Sequence, residues 1–325
     1  MDVSISIVNY NSSDLVIKAI ESINKFTINL NIEFILSNNS IGDIEFNEIK
    51  NKFPQNLIKL ISFNDNVGFA KANNVAFKEA AGKYFLVYNP DLFLVENSIN
   101  VCFEFLEKYK DYAACTVKFN YPDGKLQASA FYKQKGASLF YNSIPYISLF
   151  IKNKQRIHPS NNPDIVDVDV ICGAFTFIRS AIYKQINGFD EDFFLYGEDW
   201  EISSRIRALG KIALINNTTV IHIHGGASVR EFKDESSELN LFSRKGTQMF
   251  VSILLWQKKE FGNWTCFKLY FLLVFGLFLS IFGLFKNKFQ KKKLYDWIRY
   301  SRNILTISKL TPLILMGRKK IFKTM

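Results

Sequence analysis

Residues 57–91 read LIKLISFNDNVGFAKANNVAFKEAAGKYFLVYNPD. The apolar run 57–63 has the length of a strand, and Asn64-Asp65-Asn66 breaks it. A helix is then expected through residues 68–81, stopped at Gly82, before a second, wholly apolar strand at 84–88 that ends in Asn89-Pro90-Asp91. Strand, helix and strand in such quick succession make a parallel unit, and parallel strands need both faces covered by helices. In sheets of this kind ligands bind beyond the carboxyl ends of the strands, where the polar turns fall. Gly68 permits close backbone approach, and Lys71, Asn73 and Asn74 add donors near a helix start where anions are favoured; a diphosphate suits that place, as does an ordinary capped helix. Asp91, fixed by a proline at the mouth of a central strand, suits a hard divalent cation, although an Asn-Pro-Asp turn by itself is common.

The same alternation precedes this stretch. Val3, Ile5, Ile7 and Val8 form a short β-rich run, Asn9-Tyr10-Asn11 turns it, and a helix is expected over 12–26. Residues 32–36 are apolar again, and Ser37-Asn38-Asn39-Ser40 ends them. The expected class is therefore α/β, a mostly parallel sheet with helices on both faces.

Downstream, residues 170–228 concentrate chemistry. Glu198-Asp199-Trp200 opens a helix that Gly210 is expected to close as a left-handed residue past the last turn. Asp199, Ile202 and Ile206 share one helical face, so the carboxylate tops a buried stripe. In a first helical turn the backbone dipole favours its ionised form, which suits a general base; simple capping is the competing reading. His222 and His224 alternate with isoleucine at strand period before Gly225-Gly226, which makes them either a polar surface stripe or metal ligands.

The totals divide the chain. With 48% hydrophobic residues it can bury a full core, and disorder is not expected. Residues 246–325 carry 15 Lys+Arg against 2 Asp+Glu, while residues 1–245 carry 26 against 28. The positive charge thus belongs to a C-terminal region, 246–325, appended to a near-neutral body, 1–245. Nucleic-acid binding would need the basic residues on the body and is not expected. Residues 269–285 hold no charge and lie between lysines on both sides, near the lower limit of roughly 17–25 residues for a spanning helix. An interfacial or re-entrant helix broken near Gly276 or Gly283 is expected, with Trp256, Trp264 and Trp297 as interfacial anchors; a helix buried in the body is the alternative. The four cysteines show no metal or redox spacing, and MDVSISIVNYN reads as a strand with no export signal, so the body is expected in the cytoplasm. The irregular, aromatic stretch 122–163 reads as a binding loop or lid, or as a helical hairpin packed on the core.

Taken together, VSIVNYNSSD, SNNS, NVGFAKANN, NPD, CGAFTFIRSAI, GFDEDFFLYGEDWEISSRIRALG and HIHGGAS resemble, in order and spacing, the family 2 glycosyltransferases, especially their rhamnosyltransferase-like branch. The resemblance covers residues 3–228. It implies a GT-A fold and an inverting, metal-dependent transfer of one sugar from a nucleotide-sugar donor. Asp91 matches the metal-binding acid of the family's DxD element, and Asn89 stands where many members carry the first acid. Asp199 matches the general base, with Glu198 beside it, and His224 matches a histidine that helps hold the metal, ahead of His222. Ser37 stands where relatives often carry a base-reading Asp, which leaves Asn38 and Asn39 as candidates, and Asn9 and Asn11 line the same edge. The implied cofactor is a divalent cation, Mg2+ or Mn2+. The implied partners are the donor, a lipid-linked or cell-surface glycan acceptor, and a membrane surface on its cytoplasmic face. A non-catalytic scaffold on this fold, and a nucleotidyltransferase on a similar sheet, are the alternatives; the latter wants a Gly-rich loop where this chain has NYNSSD.

Overall fold

The computed structural model describes residues 1–40, 44–54, 57–133, 163–223, 244–285, 291–317 and 322–324. The chain forms two compact units, one of residues 1–132, 156–190 and 199–233, the other of 133–155, 191–198 and 234–325.

The first unit is built on one large sheet. Its elements are β1 (Val3–Asn9), α1 (Ser13–Phe26), β2 (Ile32–Asn38), α2 (Ile44–Lys52), β3 (Ile58–Ser62), α3 (Phe69–Lys78), β4 (Tyr84–Tyr88), β5 (Leu92–Leu94), α4 (Ser98–Lys108) and β6 (Tyr112–Asn120). They continue with β7 (Leu126–Gln127), β8 (Ala130–Phe131), β9 (Ile165–Val168), β10 (Val170–Ile171), β11 (Phe175–Arg179), α5 (Ser180–Gln185), α6 (Glu198–Arg207) and β12 (Lys211–His222). Strand order is β3-β2-β1-β4-β11-β6-β12-β5, with β7 and β9 at the margins and β8 paired to β10 apart from it. β1 to β4 are parallel to one another, β6 and β12 run the same way, and β11 and β5 oppose them.

Side-chain alternation sorts the core into two faces. Ile5 and Ile7 of β1 and Leu86 and Tyr88 of β4 pack with Val16, Ile20 and Ile23 of α1 and Cys102 and Leu106 of α4. Phe85 and Val87, one residue out of phase, pack with Ala70 and Ala76 of α3, Tyr183 of α5, and Ile202 and Ile206 of α6. β4 is apolar throughout because both of its faces are covered. Chain order reverses between β1 and β4, the point beyond whose carboxyl ends sheets of this kind bind their ligands.

One expected cap is corrected. Gly210 is not left-handed; a Cβ there would meet the Ala113 Cβ at 3.0 Å and the Asp111 carbonyl at 3.1 Å, so a glycine is needed for close approach. The left-handed glycine that matters is Gly188, at φ +67°, where a Cβ would fall 2.3 Å from the Asn74 side-chain oxygen.

The second unit holds α7 (Arg244–Phe261), α8 (Asn263–Phe285) and α9 (Lys291–Met316), which pack on one another. Residues 191–198 belong to it: Ser252 Oγ donates to the Leu195 carbonyl at 2.9 Å, Lys259 pairs with Asp192 at 2.7 Å, and Phe322 bridges to Phe193. Two expectations change here. Trp256 is buried in the core of this unit, because α7 packs most of its circumference, so it is no interfacial anchor. α8 runs unbroken past Gly276 and Gly283, and α9 runs through Pro312. Among the described residues, no helix is long and apolar enough to cross a membrane.

Candidate active site

The carboxyl ends of β1 and β2 are tied together by asparagines. The Asn9 carbonyl accepts the Asn39 N–H at 2.8 Å, Asn9 Nδ2 donates to Asn38 Oδ1 at 3.3 Å, and Asn38 Oδ1 also accepts the Ser40 N–H. Asn11, at φ +50°, donates its N–H to Ser40 Oγ at 2.9 Å. Asn39 Nδ2 reaches the Gly68 carbonyl at 3.3 Å, which joins this edge to the start of α3. Asn39 is only 3% exposed, and its Oδ1 finds no hydrogen-bond partner among the described residues. Gly68 takes φ +87°, a conformation side chains rarely adopt, and delivers the chain into α3 with Lys71 in its first turn.

Two neighbours in this region are committed to packing. Ser37 is buried and donates to the Ala72 carbonyl at 3.2 Å, which fastens β2 to α3. Asn74 Oδ1 accepts from Tyr183 Oη and from the Phe189 N–H, both at 2.8 Å, and its Nδ2 donates to the Phe189 carbonyl at 2.9 Å. The Asn74 amide is therefore a clamp on the 188–189 turn, and the donors expected from it for a diphosphate are already engaged there.

Asn89-Pro90-Asp91-Leu92 forms a turn closed by the Leu92 N–H to the Asn89 carbonyl at 3.2 Å, with proline where its fixed φ belongs. The Asn89 N–H donates to the Ala174 carbonyl at 2.8 Å. One residue away, the Gly173 N–H points to Asp199 Oδ2 at 3.4 Å, and the Trp200 N–H donates to Asp199 Oδ1 at 2.9 Å. A single stretch, Cys172-Gly173-Ala174, thus holds both the turn that carries Asp91 and the carboxylate of Asp199. Burial pushes the Asp199 carboxyl up to about 6, against the pull of the Gly173 and Trp200 N–H groups in the other direction. Desolvation outweighs the helix-start effect that the sequence suggested. Phe131 stacks on Trp200 at 5.7 Å between centroids, beside this carboxylate in the chain. Glu198, the other member of the acidic pair, belongs to the second unit and is buried there.

Asp91 is buried, and its Oδ1 lies 3.5 Å from His222 Nε2. His222 Nδ1 sits 3.0 Å from Gln127 Oε1, an amide oxygen that accepts there, and Nε2 is the ring nitrogen that faces Asp91. A carboxylate beside an imidazole nitrogen is a donor pair that suits a divalent cation. No group of three His, Cys, Asp or Glu side chains converges among the described residues. His224, preferred from sequence, lies outside the described residues, as does 134–162 of the aromatic stretch. Gln127 and Gly173 carried no sequence signal as site residues, because their roles arise from pairings across the sheet.

Rhamnosyltransferase WbbL of Escherichia coli is 26% identical over 159 residues, 44% of this chain and 55% of that protein, so the match spans little more than half of its length. N-acetylglucosaminyl-diphospho-decaprenol L-rhamnosyltransferase of Mycobacterium tuberculosis is 22% identical over 243 residues, covering 68% of this chain and 75% of the relative. A crystal structure of GalNAc-T7 with UDP, GalNAc and Mn2+ matches with a TM-score of 0.54 at 16% identity over 68% of this chain and 43% of that one, a likeness of fold of the GT-A type. Residues 4–186 match the model of Glycosyl transferase family 2, and the chain belongs to that family of glycosyltransferases.

Proposed function

We propose that the protein is an inverting glycosyltransferase that moves one sugar, with rhamnose the first candidate, from a nucleotide-sugar donor to a hydroxyl of a lipid-linked glycan. The observation that carries this reading is the shared hold of Cys172-Gly173-Ala174 on Asp199 and on the Asn89–Asp91 turn. Asp199 takes the proton from the acceptor hydroxyl as that oxygen bonds to the anomeric carbon, and the bond from that carbon to the diphosphate breaks with its electron pair on the leaving group. A carboxyl held near 6 is ionised at neutral pH yet basic enough to accept that proton.

Asn9, Asn11, Asn38 and Asn39 form the donor side, where the unpartnered Asn39 Oδ1 accepts from a nucleobase. The α3 start, with Gly68 and Lys71, faces charge of the diphosphate. Asp91 and His222 are the residues that would hold a divalent cation, whose chemistry is to neutralise the departing diphosphate. The names of the relatives, both rhamnosyltransferases and one acting on a diphospho-decaprenol, favour the sugar and the lipid carrier. The basic second unit supports work at a cytoplasmic membrane face.

The test is transfer itself. Purified protein incubated with a panel of nucleotide sugars and a polyprenyl-diphosphate-linked acceptor, with and without Mn2+, is expected to consume one nucleotide rhamnose and to release one nucleoside diphosphate per sugar added. Consumption of none of the donors with any acceptor, by protein that binds nucleotide, contradicts the proposal.

A further inference from the structure

Helix α8 carries a single charged residue, Lys268, among its 23. Cys266, Leu269 and Leu273 are buried against the rest of the second unit, and Tyr270 Oη donates to Ser308 Oγ of α9 at 3.0 Å. On the outer side, Trp264, Phe267, Phe271, Phe275 and Phe278 recur at intervals of three and four, so they form one continuous stripe along about 20 Å of helix. All five are exposed, from 43% at Phe275 to 65% at Trp264. Trp264 stacks on Phe267, and Phe271 lies parallel to Phe275, so the stripe presents aligned ring surfaces. Isolated apolar residues on a surface are ordinary, but a row of five aromatic rings is not, and a helix with so little charge calls for cover on its second face.

Charge identifies the cover. Lys268 lies on the stripe itself, with Nζ 5.0 Å from the Trp264 ring, where its stem covers apolar surface and its head remains polar. The outer row of α9 is Ile298, Arg302, Leu305, Lys309, Pro312 and Met316, again at intervals of three and four and again exposed, so apolar and basic side chains alternate along it. With two acids in residues 246–325, a protein surface rich in lysine is repelled, whereas a negatively charged bilayer matches both the rings and the cations. A second copy of the chain would bring the same positive charge to the contact.

We infer that the aromatic stripe of α8 is the surface by which the second unit lies flat on an anionic phospholipid bilayer, its rings at the level of the headgroups and its axis in the membrane plane. This rests on the membrane association proposed above and adds which face makes it.

The experiment uses the full chain and vesicles of phosphatidylcholine alone or with phosphatidylglycerol, read by sedimentation, with light scattering for oligomeric state. The unmodified protein is expected to bind the phosphatidylglycerol vesicles at least ten times more tightly than the neutral ones, and to lose this preference in high salt. The triple variant Phe271→Ser, Phe275→Ser, Phe278→Ser, checked for an unchanged melting temperature, is expected to lose at least tenfold in vesicle affinity. Lys268→Gln, which leaves the rings in place, is expected to lose about threefold and only on anionic vesicles. Undiminished vesicle binding by a folded triple variant overturns the assignment of this face while membrane association stands. Absence of vesicle binding by the unmodified protein overturns both, and a dimer that the triple variant dissociates assigns the stripe to a second copy instead.

Discussion

The Gly173 N–H points to Asp199 Oδ2 at 3.4 Å, and a Cβ on Gly173 would lie 3.4 Å from the Asp199 Cβ. A single added carbon would just touch Asp199, and the carboxylate of α6 is tied to the segment that also receives the Asn89 N–H. A valine at 173 has no room for its two methyl groups beside Asp199 and Phe69. If Asp199 is the base proposed, Gly173→Val displaces it and is expected to cost at least about 100-fold in kcat. The check is a transfer assay beside a nucleotide titration, in which affinity stays within about threefold.

The raised Asp199 pKa fixes the sign of two pH effects. A base must be ionised, so kcat/KM is expected to fall about tenfold per pH unit below a midpoint near 6. The native state also holds this proton more tightly than the unfolded chain does. The corresponding stability is present below the ordinary value of 3.8 and is lost as pH rises through about 6. Asp199→Asn is therefore expected to melt at or above the parent's temperature at pH 7.5, with the difference closing towards pH 4. Melting curves across that range provide the check.

Gln127 is expected to act through His222. Gln127→Leu removes the amide oxygen beside Nδ1, so the Mn2+ concentration for half-maximal transfer should rise by about 10–100-fold. Nucleotide binding without Mn2+ should be unchanged, a split that a general loss of folding would not produce. Titration of activity and of nucleotide binding with Mn2+ separates the two.

Asn74 and Gly188 are expected to report on stability. Asn74→Ala removes the partners of Tyr183 Oη and of both backbone polar groups of Phe189, a loss of about 2 kcal/mol. Gly188→Ala adds a left-handed non-glycine residue and drives a Cβ into Asn74 Oδ1, for about 3 kcal/mol. Urea unfolding measures both, and the double variant should cost less than the sum because the two share one contact.

Much of the first unit was legible because its signals are local. The apolar runs that became β1, β2, β3 and β4 each end in polar turns, and the Asp199-Ile202-Ile206 spacing correctly placed Ile202 and Ile206 in the core. What sequence could not convey is pairing across the sheet. His222 is seen beside Asp91 because β12 pairs with β5 in a register that sets His222 opposite Leu92, while His224 lies outside the described residues. Asn74 looked like a free donor on a helix start, and only the packing of α5 against α3 shows it engaged with Tyr183 and Phe189. Trp256 read as an anchor because the region around it is basic, yet α7 buries it together with Phe250 and Leu254. The nature of the residue was plain in each case, and the neighbour that decided its role was distant in the chain.

The central claim is that Asp199 is the base for the acceptor while the Asp91 side holds the donor. Measured on one preparation, Asp199→Asn is expected to lower kcat by at least about 1000-fold and to leave the affinity for nucleoside diphosphate with Mn2+ within about threefold of the parent. Transfer at the parent's rate, or a loss of nucleotide affinity as large as the loss of rate, would contradict it.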